Sequence, residues 1–550
     1  MRFAPTLCLA CVLSLPALAQ ETRRPTDLLQ TALDLVPRDA VFAIVVPSLK
    51  RVNDDIVQML EGMDRANLLV GSRPLDHFRA MSGLHAGVDE LRGGVMVMFV
   101  GKFDVSYAFA VPVTNADEFL KSNFTRDEGN GERLVMASGE AVYARPLERH
   151  VILARNKDDL GSFDGQPWLA QRLHERFGER VEKVMLGGEA IVYLSEYFVS
   201  QLSGVVPTMA DEAAPRGFPA MPALPLEGLT RGVDMALAVV NLDPLALGVT
   251  MMVAFNEESP FGSLRKAGAG DRGAAARSVP ALSRLPRKPF YFAASASLDG
   301  SGLLEALRTQ SGGLIDLPAW VGSAKGVQFA ASPSALGVQG GLLNEATLVL
   351  LTDEPRTARD FMRDQLVVNG AQWEPAKREV EGVAVDGYVV PTPTGEGDAM
   401  MATAATVMFG RGGFRGFVGE APGSLIITFS QRPDVFASAV KAAGGSDSLA
   451  SDPVLRQMRA WLPPEADAEA FLGIGQFARI INQFKDMIPV GDIPIPTIDP
   501  KVKPVGFGLA AGDAMVEAGM VVPSDVLTIL LDQVVERMKS IGATGKGLGN

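Results

Sequence analysis

Apolar and polar positions follow the same order twice along this chain. A buried strand with a periodic helix after it is predicted at Ala40–Val46, and Pro289–Ser295 followed by Leu303–Leu307 repeats that order. The later parts of each copy also match in order. Each copy has, in order, a strand, two helices, a second strand, another helix and a proline-rich loop. It then ends in a pair of strands, Met235–Val240 with Leu247–Ala254 in the first copy and Val505–Ala511 with Met515–Val522 in the second. A period of this length indicates two related domains and not a solenoid.

Short links between apolar runs predict antiparallel pairing within each copy. Val95–Val100 and Tyr107–Val113 are separated by one turn, which favours a hairpin. In the second copy, 326–331, 337–343 and 346–351 are predicted as strands before a helix that begins at Pro355. We therefore predict an α+β fold of two tandem related domains, each a mainly antiparallel sheet with helices packed on one face.

The start of the chain predicts a cleaved secretory leader over residues 1–19. Arg2 precedes the apolar stretch Leu7–Leu15, and Ala17 and Ala19 supply the small-x-small pattern that signal peptidase cuts after. The stretch is shorter than a membrane span needs to be. We expect a mature chain that begins at Gln20, without a transmembrane segment and with a secreted or periplasmic location.

The rest of the chain divides into three predicted parts. The first α+β domain covers 20–256, a basic Gly/Ala-rich linker covers 257–284, and the second α+β domain covers 285–550. The second domain ends in an amphipathic helix that Ser524 opens, with a stripe that includes Val526 and Leu530. We expect this stripe to pack on the second domain.

Charge and cysteine content exclude several functions. Without the leader, 50 basic residues face 64 acidic ones, a formal net charge of −14, which disfavours binding to nucleic acid and to anionic lipid. Both cysteines, Cys8 and Cys11, lie in the leader, so the mature chain forms no disulfide and no thiolate metal site.

No motif in the sequence predicts catalysis or a cofactor. His77, His85, His150 and His174 lack metal-binding spacing, and His150 and His174 are interpreted as surface or edge histidines. No nucleophile elbow is present, and the glycine cluster 410–416 lacks a phosphate-loop lysine and is interpreted as a hairpin turn. The adjacent acids Asp54-Asp55, Asp158-Asp159 and Asp353-Glu354 form no calcium loop. The sequence predicts no catalytic, cofactor-binding or metal-binding residue.

One loop is a candidate for contact with an apolar ligand. The proline-rich segment 207–225 contains Met209 and Met221, and methionine adapts its shape to irregular apolar surfaces. Hydrophobic residues make up 47% of the chain, which is consistent with large cores or with an apolar groove. The alternatives for this loop are a cover over such a groove and a surface loop.

Several blocks resemble the secreted bacterial proteins grouped as domain of unknown function 3352. The resemblance rests on Val36–Ala40 before the first strand, on Ser424–Ser430, and on Leu449–Leu455 leading to Leu462–Ala468. In the first copy, Phe163–Trp168 stands where the second has its Ser-Asp-Pro helix start at 451–453. The resemblance implies a duplicated envelope protein and no catalytic residue.

Three functions stay open at this point. The first is a non-enzymatic binding or structural role in the cell envelope, with an envelope component as partner. The second is carriage of an apolar ligand or lipid, and the third is a hydrolase of unrecognised type. A closed core would favour the first, an apolar cavity the second, and titratable groups that converge in a cleft the third.

Overall fold

The computed structural model describes residues 25–69, 73–101, 105–137, 139–201, 232–256, 259, 280–298, 300, 318–391, 399–484, 498–512 and 515–545. The leader cleavage residues Ala17 and Ala19, the loop residues Met209 and Met221, and most of the linker 257–284 lie outside the described residues. The domain boundaries therefore stay predictions.

The first half of the chain contributes ten strands and six helices to the description below. The strands are β1 Phe42–Val46, β2 Gly94–Val100, β3 Val105–Pro112, β4 Phe124–Arg126, β5 Leu134–Met136, β6 Ala141–Leu147, β7 His150–Ala154, β8 Ala190–Ser195, β9 Val233–Asp243 and β10 Ala246–Phe255. The helices are α1 Pro25–Leu33, α2 Leu49–Gly62, α3 Pro74–Ser82, α4 Ala116–Asn123, α5 Trp168–Phe177 and α6 Glu179–Gly187.

The second half follows the same order of strands. The strands are β11 Phe292–Ser297, β12 Ala324–Ala331, β13 Thr347–Thr352, β14 Gln372–Val380, β15 Val383–Val390, β16 Phe414–Ala421, β17 Ser424–Thr428, β18 Ala468–Leu472, β19 Val505–Ala511 and β20 Met515–Pro523. The helices are α7 Pro355–Val368, α8 Ala399–Phe409, α9 Pro433–Ala443, α10 Pro453–Arg459, α11 Ile474–Phe484 and α12 Ser524–Gly545.

All of these strands belong to one antiparallel sheet of 20 strands. From one edge to the middle the order is β4, β5, β6, β7, β3, β2, β1, β8, β9, β10, and from the middle to the other edge it is β20, β19, β18, β11, β12, β13, β17, β16, β15, β14. Read from its edge to the middle, the second order is the first with each strand replaced by its counterpart in the other half. The two halves are thus joined edge to edge through β10 and β20.

The pairing register shows which positions of the two halves match. Phe42 pairs with Met98 and with Leu194, as Phe292 pairs with Ala331 and with Leu472. Two hydrogen bonds extend the match to the central strands, where Glu189 N donates to Val240 O at 2.9 Å and Asp467 N donates to Leu509 O at 2.7 Å. These pairs assign counterparts in β11, β12, β18 and β19 to the residues of β1, β2, β8 and β9.

The predicted α+β class and antiparallel sheet are confirmed, but the helices are not confined to one face. Consecutive strand residues point to opposite faces. In β7, Ile152 packs in the core that contains α1, α5 and α6, whereas Leu153 packs on the other side in the core that contains Phe119 of α4. In the second half, α9 and α7 lie on opposite sides of β17 in the same way. Strands near both outer ends of the sheet are thus buried on both faces, which explains their continuous apolar runs.

Two local predictions were wrong. Residues 337–343 begin with the 3₁₀ helix Gly337–Gly340 and contain no strand, and the glycine cluster 410–416 joins helix α8 to strand β16. The run before the glycines is almost wholly apolar, so it has no hydrophobic period that separates a helix from a strand. The hairpin β2–β3 is confirmed by its register from Val95↔Ala110 to Val100↔Val105.

Candidate functional site: an apolar trough on the open face of the sheet

The join between the halves is held on one face of the sheet, which we call the helical face. Gly248 and Gly519 lie at this join, and a Cβ atom on them would come within 2.7 Å of Trp461 Cε3 and of Pro463 Cδ respectively. Glycine is therefore what allows residues 461–463 to lie directly on β10 and β20. Beside them, Arg180 of α6 donates to both carboxylate oxygens of Glu517 on β20, at 2.7 and 3.0 Å.

The opposite face of the ten central strands, which we call the open face, is apolar and partly exposed. Its side chains alternate with those that face the helices. They are half-buried or exposed along β2, β1, β8, β9, β10, β20, β19, β18, β11 and β12, apart from buried Ala236, Ala331 and Val505. Phe507 and Leu509 are 42% and 44% exposed, and Tyr107 and Phe109 on β3 are 41% and 43% exposed. An antiparallel sheet that faces water on one side normally carries polar residues there. An exposed apolar surface of this kind marks a site of interaction.

The open face is hollowed in the second half. A trough of about 570 Å³ lies over β12, β11, β18, β19, β20 and β10. Ala294 and Ala296 on β11 and Ala468 and Ala470 on β18 form its floor. The flanking strands carry large side chains, Val327 and Phe329 on one side and Phe507 and Leu509 on the other. Beyond Phe507 and Leu509 the trough continues over Ala518 and Met520 of β20 to Val249 and Met251 of β10.

One end of the trough meets two helices. Ile480 and Phe484 of α11 and Val407 of α8 are buried in one cluster with Phe329 and with Phe292, the residue next to Ala294 on the same face. The rings of Phe292 and Phe329 lie 6.1 Å apart. This packing fixes the wall residue Phe329 at that end.

Polar groups near the trough are turned away from it. Glu469 lies between the floor residues Ala468 and Ala470 in sequence, so its side chain points to the helical face, where its carboxylate accepts from Arg459 Nε at 2.6 Å. Ser295 alternates with Ala294 and Ala296 in the same way. The side chains that line the trough are therefore hydrocarbon, aromatic and thioether groups, which bind apolar atoms and offer a ligand no strong hydrogen bond.

Three of the adjacent acids considered from the sequence have basic partners. Asp54 pairs with Lys50, Asp55 lies 3.6 Å from Arg51, and Asp353 lies 2.6 Å from Lys325. Within the part of the chain that the structure describes, no three His, Cys, Asp or Glu residues are grouped so that they could hold a metal ion.

The interpretation of His150 as a surface or edge histidine was wrong. Only 3% of its surface is exposed, and Nε2 lies 3.0 Å from the carbonyl oxygen of Gly93. Burial lowers the pKa of His150 below its usual value. His174 is exposed as expected and lies 3.0 Å from Glu182.

The carboxylate of Glu189 also has a structural role. It accepts from Leu242 N at 2.7 Å and from Arg51 at 2.7 Å, and burial raises its pKa. In the second half the matching Asp467 accepts from Ala511 N at 2.7 Å. Both carboxylates hold the start of a central strand against the end of its neighbour.

The terminal helix differs from its predicted packing. Val526 is buried, but Leu530 is 50% exposed, and Asp532 pairs with Arg65 of the first half at 2.6 Å. The helix therefore also contacts the first half, and Leu530 is not in the core. Among the described residues, no helix has the length and hydropathy needed to cross a bilayer.

The trough was not identified from the sequence. The signal that could have shown it is the absence of polar alternation in β19 and β20, together with pairs of alanines in β11 and β18, where β-branched residues are usual.

Comparison with known proteins assigns no family. No family model matches the chain, and no curated protein matches it. One solved structure, crystal form I of TP0453, aligns with 40% of this chain and 78% of its own chain, at 10% identity and a TM-score of 0.20. The resemblance to domain of unknown function 3352 therefore stays a prediction.

Proposed function

We propose that this protein is a non-enzymatic protein of the cell envelope that binds an apolar ligand, such as the acyl chain of a lipid, in the trough on its open face. The single observation that supports this most is the concave apolar surface over the alanine floor. The whole trough, including its part over β20 and β10, has a volume of about 570 Å³, within the range of roughly 300–1,000 Å³ that is typical of small-molecule sites. The envelope location rests on the leader pattern with Ala17 and Ala19.

Binding would be driven by the removal of hydrocarbon from water. Each buried methylene contributes about 0.8 kcal/mol, so a chain of several methylenes in contact with Phe329, Phe507 and Leu509 gains enough to offset the cost of association. The negative net charge of −13 for the whole chain gives no attraction for an anionic headgroup, so we expect the carboxylate of a fatty acid to stay in solvent. The ligand is therefore recognised through its chain.

The experiment is a titration with cis-parinaric acid, a fatty acid whose fluorescence rises in an apolar environment. The purified protein should bind it with saturation, and palmitate should displace it. Organic extraction of protein purified under native conditions should release a lipid.

Two double variants test the location of the site. Phe507→Ser with Leu509→Ser removes one wall and should weaken probe binding. Tyr107→Ser with Phe109→Ser changes residues of equal exposure on the same face, outside the trough, and should leave binding unchanged. No saturable binding by the unmodified protein, or equal binding by both variants, would contradict the proposal.

A further inference from the structure

The eight matching positions on the open face of the two halves carry opposite size patterns. On the floor, Ala294, Ala296 and Ala470 of the second half match Ile44, Val46 and Val192 of the first, and Ala468 matches Ala190. The first half therefore has larger side chains at three of the four floor positions.

The flanking positions show the reverse. Val327, Phe329, Phe507 and Leu509 of the second half match, in that order, Gly94, Met96, Ala238 and Val240 of the first. Each wall residue of the second half is larger or more rigid than its counterpart. On the same backbone, a small floor between large walls gives a trough, and a large floor between small walls gives a flat surface.

We infer that this exchange of size between floor and walls determines where the protein binds its ligand, so that each chain has one site, in its second half, for a single unbranched hydrocarbon chain. The inference rests on the proposed function, and it adds the residues that set specificity and the number of sites. The floor alanines leave room for the chain, and the walls supply the contacts along its two sides.

The shape of the floor also favours a narrow ligand. Adjacent strands lie about 4.8 Å apart, so the part of the trough over the alanine floor, two strands wide between Phe329 and Phe507, accommodates one extended chain and excludes a broad ring system. A second copy of the protein or another protein would contact the open face of both halves and would not require a different floor in each. These size differences between the halves favour a chain-like ligand over a protein surface.

The test transfers residues between matching positions. The variant Ala294→Ile with Ala470→Val gives the second half the side chains that the first half carries at the matching floor positions, where the same backbone accommodates them. This filled variant should keep its thermal midpoint and lose cis-parinaric acid affinity by about tenfold or more, because a pocket that is short by one or two methylenes discriminates on that scale.

The reciprocal change is made in the first half. Ile44→Ala, Val192→Ala, Met96→Phe, Ala238→Phe and Val240→Leu together give the first half a small floor between two large walls. They should create a second trough, and the binding stoichiometry should rise from one probe per chain to two. The matched control is Ile44→Ala with Val192→Ala alone, which lowers the floor without raising a wall and should leave the stoichiometry at one.

The outcomes separate the inference from the proposed function. If the unmodified protein does not bind the probe, both fail. If it binds and the filled variant binds equally well at an unchanged thermal midpoint, the ligand lies elsewhere and the inference fails alone. If sedimentation shows that the filled variant changes from dimer to monomer, the trough is an interface between copies and the inference is also wrong.

Discussion

Replacement of Arg180 tests how the two halves are held together. Glu517 is 4% exposed, and both of its carboxylate oxygens accept from Arg180, whose hydrogen bonds to Glu517 raise the arginine pKa. Arg180→Met would leave this carboxylate buried without a counterion. Removing one partner of a fully buried pair costs about 3–5 kcal/mol. The Arg180 side chain is 33% exposed, so solvent screens part of the charge, and we expect a loss of about 2–3 kcal/mol.

Amide hydrogen exchange in β10 and β20 measures this loss at the join itself. A decrease of that size corresponds to roughly 30- to 150-fold faster exchange for amides that open together with the join. The double variant Arg180→Met with Glu517→Met replaces the pair by side chains of similar length and should return exchange to within about tenfold of the unmodified protein, because a buried pair is often no more stable than an apolar replacement.

The control is Lys157→Met, which breaks the exposed pair with Glu132 and should leave exchange in β10 and β20 unchanged. Unaltered exchange in Arg180→Met, or an equal increase of the exchange rate in the single and double variants, would refute the reasoning that the buried carboxylate at the join depends on its counterion.

Three further predictions concern other parts of the molecule. Gly519→Ala should lower the thermal midpoint by several degrees, because its Cβ would lie 2.7 Å from Pro463 Cδ. Gly161→Ala should leave the midpoint unchanged, because no atom lies within 4 Å of the added Cβ. Equal effects of the two changes would mean that the join relaxes freely. Burial lowers the pKa of His150 below 6.5, so the unfolded chain binds the proton more strongly than the folded one. The contribution of neutral His150 to the free energy of unfolding is therefore fully present above pH 6.5. It falls as the pH drops below that value, by at most about 1.4 kcal/mol per pH unit. His150→Gln should reduce this pH dependence in denaturant titrations, and an identical slope would contradict it. Mass spectrometry of secreted protein should find a chain that begins at Gln20, and retention of Met1 would refute the leader assignment.

Local order was predictable where the signal was local. The hairpin β2–β3, the strands near the end of each half and the helix starts at Asn115 and Asp452 follow from turn and capping residues that act within a few positions. The 3₁₀ helix at Gly337 and the helix before Gly410 were mispredicted because short apolar runs fit a strand and a helix equally well.

The sequence by itself determined the α+β class, the repeated order of elements and the lack of a catalytic motif, since these depend on spacing along the chain. Only the tertiary structure decided that the two halves share one sheet, that helices cover both faces at its outer ends, and that Ala294 and Ala470 lie side by side between Phe329 and Phe507. Strand pairing brings together residues that are far apart in sequence, and its register decides which face each side chain occupies. The trough is a property of that register, because it exists only where four small residues on two neighbouring strands meet larger ones on the strands beside them.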